Sequence, residues 1–224
     1  MAYSEGLMIA LAAGCLLALD RRRWVLAGVL GGLATACRPN AVVLVAVTAW
    51  AAATAIRRRA GARPALAPGL TAAGIGGFMA FLWVRTGSPG AWMRVQHDVW
   101  RQQVDFGRSL LTWVGWLVNH PFADIERWIV VGGLAFAAGG LWLLARRGWP
   151  PPVALYSTGI VALAAVYRVD VFRPRAVLAA FPLFVAYGDK LPRRAVAVLT
   201  VLFAAGLFLL PLYYTGPLAG SSAP

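Results

Sequence analysis

Long apolar stretches separated by short polar segments run through the whole chain. Each stretch is bounded by arginines or by proline and glycine, and most are rich in alanine and leucine. A bilayer offers no water to satisfy backbone groups, so such stretches form helices, and they are too long for barrel strands. The pattern predicts an all-α fold, a polytopic transmembrane helical bundle of about eight spans. The predicted spans are residues 3–19, 24–37, 41–56, 65–84, 128–145, 150–167, 176–188 and 195–214.

The composition excludes most soluble classes of protein. Hydrophobic residues make up 60% of the 224 positions and charged residues only 13%, whereas a soluble domain is roughly half apolar and a quarter charged. An ordinary cytosolic enzyme, a disordered chain and a secreted disulfide scaffold are therefore excluded. We expect one transmembrane domain over residues 1–214, followed by a flexible tail over 215–224.

The basic residues fall into clusters that alternate with the apolar stretches. The clusters hold twelve of the 21 basic residues with only two acids, a net charge of +10, and the remaining segments carry +3. Arginine-rich loops face the cytoplasm, so both termini and the long loop over 85–127 are expected outside, in a bacterial plasma membrane. This placement also argues against nucleic acid as the partner of the basic chain. The clusters are Arg21–Arg23, Arg57–Arg59 with Arg63, Arg146–Arg147, and Lys190 with Arg193–Arg194.

Arg38 interrupts the apolar pattern on the outer side. Residues 24–37 would rise about 21 Å as a helix, against about 30 Å for the hydrocarbon core, and Pro39 disfavours helix at the residue before it. The helix should end early and leave Arg38 below the outer surface, where its guanidinium can grip a phosphate through two parallel bonds. The alternatives are an arginine that extends to the interface or one that pairs with Glu5.

The outer loop after Arg85 predicts an amphipathic helix. Thr86-Gly87-Ser88-Pro89 is typical of a turn followed by a helix start, with Ser88 as the N-cap. A helix over 89–106 would place alternating charges on one stripe and apolar residues on another, and would lie on the membrane surface. The charged stripe can equally satisfy itself through internal ion pairs, without a substrate.

His97 and Asp98 form the one adjacent His/Asp pair of the chain. They are candidates for acid–base chemistry, together with Glu5, although adjacent residues on a helix do not face each other. The two histidines and two cysteines show no metal-site spacing. No cofactor is indicated, and a divalent metal ion is left open.

A second group of arginines lies at the outer end of two later spans. Residues 168–175 hold three arginines around Asp170. The group suits an anionic lipid headgroup or a sugar phosphate. Interfacial anchoring, with Asp170 as an internal counter-ion, accounts for it equally well.

Four segments, taken in order, resemble polytopic membrane glycosyltransferases of the GT-C class, and most closely the bacterial branch of the PIG-V-like mannosyltransferases. Cys37 stands where that branch usually has threonine. The segments are Tyr3-Ser4-Glu5, Cys37-Arg38-Pro39-Asn40, Thr86-Gly87-Ser88-Pro89 with the downstream Trp100, and Arg173 to Phe184 with Arg175, Phe181 and Pro182.

The resemblance implies a sugar donor linked to polyprenyl phosphate, with mannose as the sugar, and transfer to a lipid or protein acceptor on the outer face. It implies that substrate contacts come from the matching segments. The residues carried over as substrate-binding are Tyr3, Ser4, Glu5, Arg38, Asn40, Trp100, Arg173 and Arg175.

The chain departs from the GT-C pattern at its start. Enzymes of this class have a first span and an outer loop with a catalytic acid before the Tyr-Ser-Glu segment, and Glu5 does not match that acid. We therefore expect a truncated product, a mis-assigned start, or a partner subunit that supplies the missing region. The alternative function is a catalytically inactive membrane subunit that binds or transports lipid.

Overall fold

The computed structural model describes residues 4–99, 103–120, 125–146, 148–166, 178–189, 191–198, 200–202 and 204–205. This part of the chain is all-α, as predicted. Short turns of 3₁₀-helix at Pro39–Val42 and Arg63–Ala65 precede α3 and α4, and a π-helical turn at Val95–Val99 follows α5. The helices are α1 Glu5–Asp20, α2 Trp24–Cys37, α3 Val43–Arg57, α4 Leu66–Thr86, α5 Ala91–Arg94, α6 Arg108–Asn119, α7 Ile125–Arg146, α8 Pro151–Val166 and α9 Pro182–Gly188.

The chain divides into two compact units, Met1–Leu183 and Phe184–Pro224. The first contains α1 to α8 and the described candidate residues Ser4, Glu5, Arg38, Asn40, His97 and Asp98. The second begins within α9 and includes further helical residues at 193–198 and 200–202. The prediction of one domain over 1–214 stays a prediction.

Six of the predicted apolar stretches coincide with α1, α2, α3, α4, α7 and α8 to within a few residues. Two helical segments of the described chain are long and apolar enough to cross a membrane. They are Pro39–Arg57, with 19 residues, and Arg63–Thr86, with 24 residues. Three shorter apolar helices lie at Trp24–Cys37, Val131–Arg146 and Pro151–Val166.

Glycines bring α2 and α4 into backbone contact. A methyl group added at Gly32 would lie 2.6 Å from the carbonyl oxygen of Leu70, and one added at Gly74 would overlap the carbonyl of Gly32. Small residues allow two helices to approach closely in this way. Gly31, Gly32 and Gly74 thus allow the close packing of α2 and α4, whereas a methyl group at Gly76 or Gly77 would have no atom within 4 Å.

The predicted helix over 176–188 is interrupted at residues 179–181. Pro182 opens α9, because proline disfavours helix at the residue before it and fits the first helical position. The carbonyl oxygen of Ala179 accepts a hydrogen bond of 2.9 Å from the hydroxyl of Tyr156, which is fully buried. The Tyr156 ring lies 5.7 Å from the ring of Phe181. The break is therefore held by a buried polar contact from α8.

Two helix ends place arginine in the left-handed backbone region. Arg22 has φ +54° after α1, and Arg59 has φ +62° after α3. In each case a bond spans five residues, from the Arg23 amide to the Ala18 carbonyl and from the Ala60 amide to the Ala55 carbonyl. This is the Schellman motif, whose left-handed position usually holds glycine. A residue with a Cβ at this left-handed position destabilises the folded state by about 1 kcal/mol.

α6 is amphipathic. Arg108, Thr112, Gly115 and Asn119 follow one another at steps of four, three and four, so they share one stripe. A neighbouring stripe carries Leu111, Val114 and Val118, at steps of three and four, and all three are exposed. In the loop after Arg85, the most clearly amphipathic described helix is therefore α6. The sequence analysis predicted the amphipathic helix earlier in this loop, over residues 89–106.

Candidate functional site

Glu5 and Arg38 form an ion pair between the start of α1 and the end of α2. α2 ends at Cys37, as predicted, because Pro39 follows Arg38, whose backbone is extended with φ −149° and ψ 131°. The side chains are half-buried, with exposed fractions of 25% for Arg38 and 29% for Glu5. The alternative in which Arg38 pairs with Glu5 is therefore the observed arrangement.

Backbone contacts hold this pair at one end of the α1–α2 hairpin. The Cys37 thiol lies 3.6 Å from the carbonyl oxygen of Ser4, which also accepts from the amide of Met8 at 3.0 Å. Asn40 is exposed on the turn that follows Arg38. That turn contacts α3, α4 and α8, so the candidate residues Ser4, Glu5, Arg38 and Asn40 share this end of the first unit.

The outer loop starts its helix later than predicted. The N-cap of α5 is Gly90, and the Ser88 hydroxyl instead accepts a hydrogen bond from the Arg94 guanidinium. The prediction of Ser88 as N-cap is therefore wrong. The Ser88 hydroxyl is bonded to an arginine six residues further along the chain. Capping preferences, which concern only the first turn of a helix, do not indicate such a bond.

The predicted helix over 89–106 is also wrong at its end, because residues 103–106 are not helical, while residues 100–102 lie outside the described residues. Phe106 and Gly107 have φ +54° and +81°, and the Gly107 amide donates to the Asp105 carboxylate at 3.0 Å. The amides of Asp105 and Phe106 donate to the carbonyl oxygen of Val166 at 3.1 and 3.2 Å. This turn therefore caps the end of α8, a role that the sequence analysis missed although Asp-Phe-Gly is a typical turn sequence.

His97 and Asp98 are in contact. His97 Nδ1 lies 2.8 Å from Asp98 Oδ1, in the π-helical turn Val95–Val99. The expectation that these adjacent residues face apart is therefore wrong. Both side chains point into solvent, with exposed fractions of 72% and 63%. The pair can orient one imidazole nitrogen towards a reactant, but it lies on an open surface.

Four candidate site residues, Tyr3, Trp100, Arg173 and Arg175, lie outside the described residues, as does the arginine group over 168–175. Their assignment to the substrate site stays a prediction. Among the residues that the structure describes, no group of three or more His, Cys, Asp or Glu side chains could hold a metal ion.

The arrangement provides a guanidinium and a carboxylate side by side at a helix break. Arginine has five N–H donors and one carboxylate cannot engage them all, so Arg38 can hold Glu5 and a second anion together.

No protein-family model, curated protein or solved structure matches the chain.

Proposed function

We propose that the chain is a polytopic protein of the bacterial plasma membrane, with about eight spans and both termini outside. We propose further that it transfers a sugar, mannose, from a polyprenyl-phosphate donor to a lipid or protein acceptor at the outer face. The membrane part is supported by the two long apolar helices. It is also supported by exposed Phe81, Trp83 and Val84 near the outer end of α4, where a water-soluble protein rarely gathers large apolar side chains.

The transfer is supported by a single observation, the Glu5–Arg38 pair at the end of the first hairpin. A sugar phosphate donor presents its phosphate near the membrane surface, and Arg38 would hold that phosphate through the N–H groups that Glu5 does not use. In the reaction, the bond from the sugar C1 to the phosphate oxygen breaks and a bond from C1 to the acceptor oxygen forms. Charge develops on the leaving phosphate, where Arg38 stabilises it.

Glu5 would act as the base in this proposal. Its carboxylate accepts the proton of the acceptor hydroxyl as the new bond forms. The carboxylate lies beside the guanidinium that would hold the donor phosphate, so it is placed near the reacting sugar. His97, oriented by Asp98, is the second candidate for the same proton transfer.

The test uses the full chain, purified and reconstituted into vesicles with radiolabelled polyprenyl-phosphate mannose and bacterial membrane lipids as acceptors. We expect label to appear in the acceptor fraction with the unchanged chain. We expect Arg38→Gln and Glu5→Gln to abolish transfer. Arg85→Gln is the matched control, since it removes one exposed charge from the outer end of α4, and it should retain transfer.

A catalytically inactive lipid-binding subunit is the second candidate. It is favoured by the fact that each candidate acid of the described chain already pairs with a base, Glu5 with Arg38 and Asp98 with His97. In the same vesicles this function would give saturable donor binding that Arg38→Gln weakens, without transfer of label. Absence of both binding and transfer would exclude both functions.

A further inference from the structure

The opposite end of the first unit carries a dense arginine surface that the proposed sugar transfer does not use. We define the arginine turns as residues 21–23, after α1, and residues 57–63, which begin at the last residue of α3. They contain seven arginines, all exposed: Arg21, Arg22, Arg23, Arg57, Arg58, Arg59 and Arg63. From Glu5 to the first of them, α1 rises about 24 Å, so the surface lies at the far end of the helices from Arg38.

The two arginine turns lie side by side. α2 and α4 run in parallel, because Gly28 faces Ala67 and Leu70 while Gly32 faces Leu70 and Gly74. In this register the start of α2, next to Arg23, lies beside the Arg63–Ala65 turn, and that turn contacts both α2 and α3. The guanidiniums therefore form one surface.

Within the part of the chain that the structure describes, seven arginines of the turns stand beside one adjacent acid, the exposed Asp20. The described ion pairs join Glu5 to Arg38 and Asp98 to His97, and neither includes an arginine of the turns. Helix C-termini favour cations, which accounts for some positive charge at the ends of α1 and α3. The same rule disfavours Arg23, which directly precedes the N-terminus of α2.

The backbone of the turns gives the second observation. Arg22 and Arg59 occupy the left-handed position of their Schellman motifs, whereas Gly87 takes the left-handed position after α4 and Gly148 is left-handed after α7. Glycine would fold with less strain at both arginine positions. Strain that recurs at two matching positions indicates that the side chain itself is used.

We infer that the arginine turns bind the phosphate of anionic phospholipids in the bilayer leaflet at this end of the helices. Phosphate is the anion that guanidinium groups bind through paired hydrogen bonds. The bilayer, rather than free phosphate, is the source because exposed apolar residues border the turns directly: Leu17, Val25, Leu26, Ile56 and Leu66. In a phospholipid, the headgroup phosphate would contact the arginines and the acyl chains would contact the bordering apolar residues.

The inference is tested by native mass spectrometry of the full chain in detergent, with dioctanoyl phosphatidylglycerol, dioctanoyl phosphatidylcholine or inorganic phosphate added. We expect a preference for phosphatidylglycerol over both of the others. The double variant Arg22→Gly with Arg59→Gly should weaken phosphatidylglycerol binding about tenfold, since each surface charge contributes to the attraction. Its melting temperature should be unchanged or higher, because glycine suits both positions.

Two controls separate this binding from net charge and from the sugar-transfer site. Arg85→Gln with Arg94→Gln removes two exposed charges elsewhere and should leave phosphatidylglycerol binding unchanged. Arg38→Gln should also leave it unchanged, and the glycine variant should retain any sugar transfer. The inference would be overturned if phosphatidylcholine or inorganic phosphate bound as well as phosphatidylglycerol. It would also be overturned if the glycine variant bound phosphatidylglycerol as well as the unchanged chain does.

Discussion

The hydroxyl of Thr35 on α2 donates a hydrogen bond of 2.8 Å to the backbone carbonyl oxygen of Thr71 on α4. It also lies 2.9 Å from the carbonyl oxygen of Gly32, one turn back on its own helix. Both threonines are fully buried. The contact ties two helices that are separated in sequence by α3, at the level where their glycines bring the backbones together.

We expect Thr35→Val to lower the free energy of unfolding by about 1 kcal/mol, because a valine of similar shape cannot donate to either carbonyl. Thr54→Val is the control, since the Thr54 hydroxyl bonds only to Trp50 within its own helix. Unfolding in mixed detergent, followed by circular dichroism, measures both variants. Equal losses would show that the contact between the helices contributes nothing beyond the local bond.

We expect Gly32→Ala to destabilise the bundle by about 1 to 3 kcal/mol, because its methyl group would press on the carbonyl of Leu70 and force α2 away from α4. Gly76→Ala on α4 is the matched control. Nothing lies within 4 Å of a methyl group there, and alanine favours helix, so this variant should be neutral or stabilised. The same unfolding assay compares the two, and a tolerated Gly32→Ala would contradict the observed packing.

We expect Tyr156→Phe to cost about 1 kcal/mol, because the Ala179 carbonyl at the helix break would lose its buried donor. The ring contact with Phe181 is kept, so the loss reports on the hydroxyl alone. Ser157→Ala removes only a bond to Val153 within the same helix and should cost less. If both variants unfold alike, the hydroxyl of Tyr156 does not hold the break.

If Arg38 binds the donor phosphate, Arg38→Lys should weaken donor binding about tenfold while Arg38→Gln weakens it further. Lysine keeps the charge but lacks the planar fork that holds two phosphate oxygens at once. Equilibrium binding of polyprenyl-phosphate mannose measures the series, with Arg85→Lys as the control. Indistinguishable affinities for lysine and arginine at position 38 would rule out the paired hydrogen bonds.

We expect the apolar side of α6 to enter the membrane surface. Leu111 and Val118 have exposed fractions of 76% and 75%, and a helix of this kind lies with its apolar face in the headgroup region. A spin label at position 111 should therefore be shielded from a water-soluble quencher, and one at position 112, on the polar stripe, should not. Equal accessibility of the two labels would exclude this orientation.

The features that local chemistry determines could be predicted from the sequence. α2 ends at Cys37 because Pro39 acts on the residue before it, and helices form over most of the apolar stretches because helix is the favoured state of alanine and leucine.

The features that depend on distant partners could not be predicted. The turn at Asp105 to Gly107 forms where its amides meet the Val166 carbonyl, some sixty positions away. The pairing of Arg38 with Glu5 was one of several alternatives. The separation of two charged residues along the chain does not determine whether their side chains come into contact. His97 and Asp98 meet in a π-helical turn that the sequence pattern did not indicate.

The parallel contact between α2 and α4 has a consequence for biosynthesis. The glycine face of α2 is made early, yet the surface that covers it belongs to α4 and is not complete until Gly74 has been synthesised. This face of the first hairpin therefore stays uncovered while α3 and the first part of α4 are synthesised. The glycine face of α2 is therefore covered later than the Glu5–Arg38 pair, whose two residues both precede α3 in the chain.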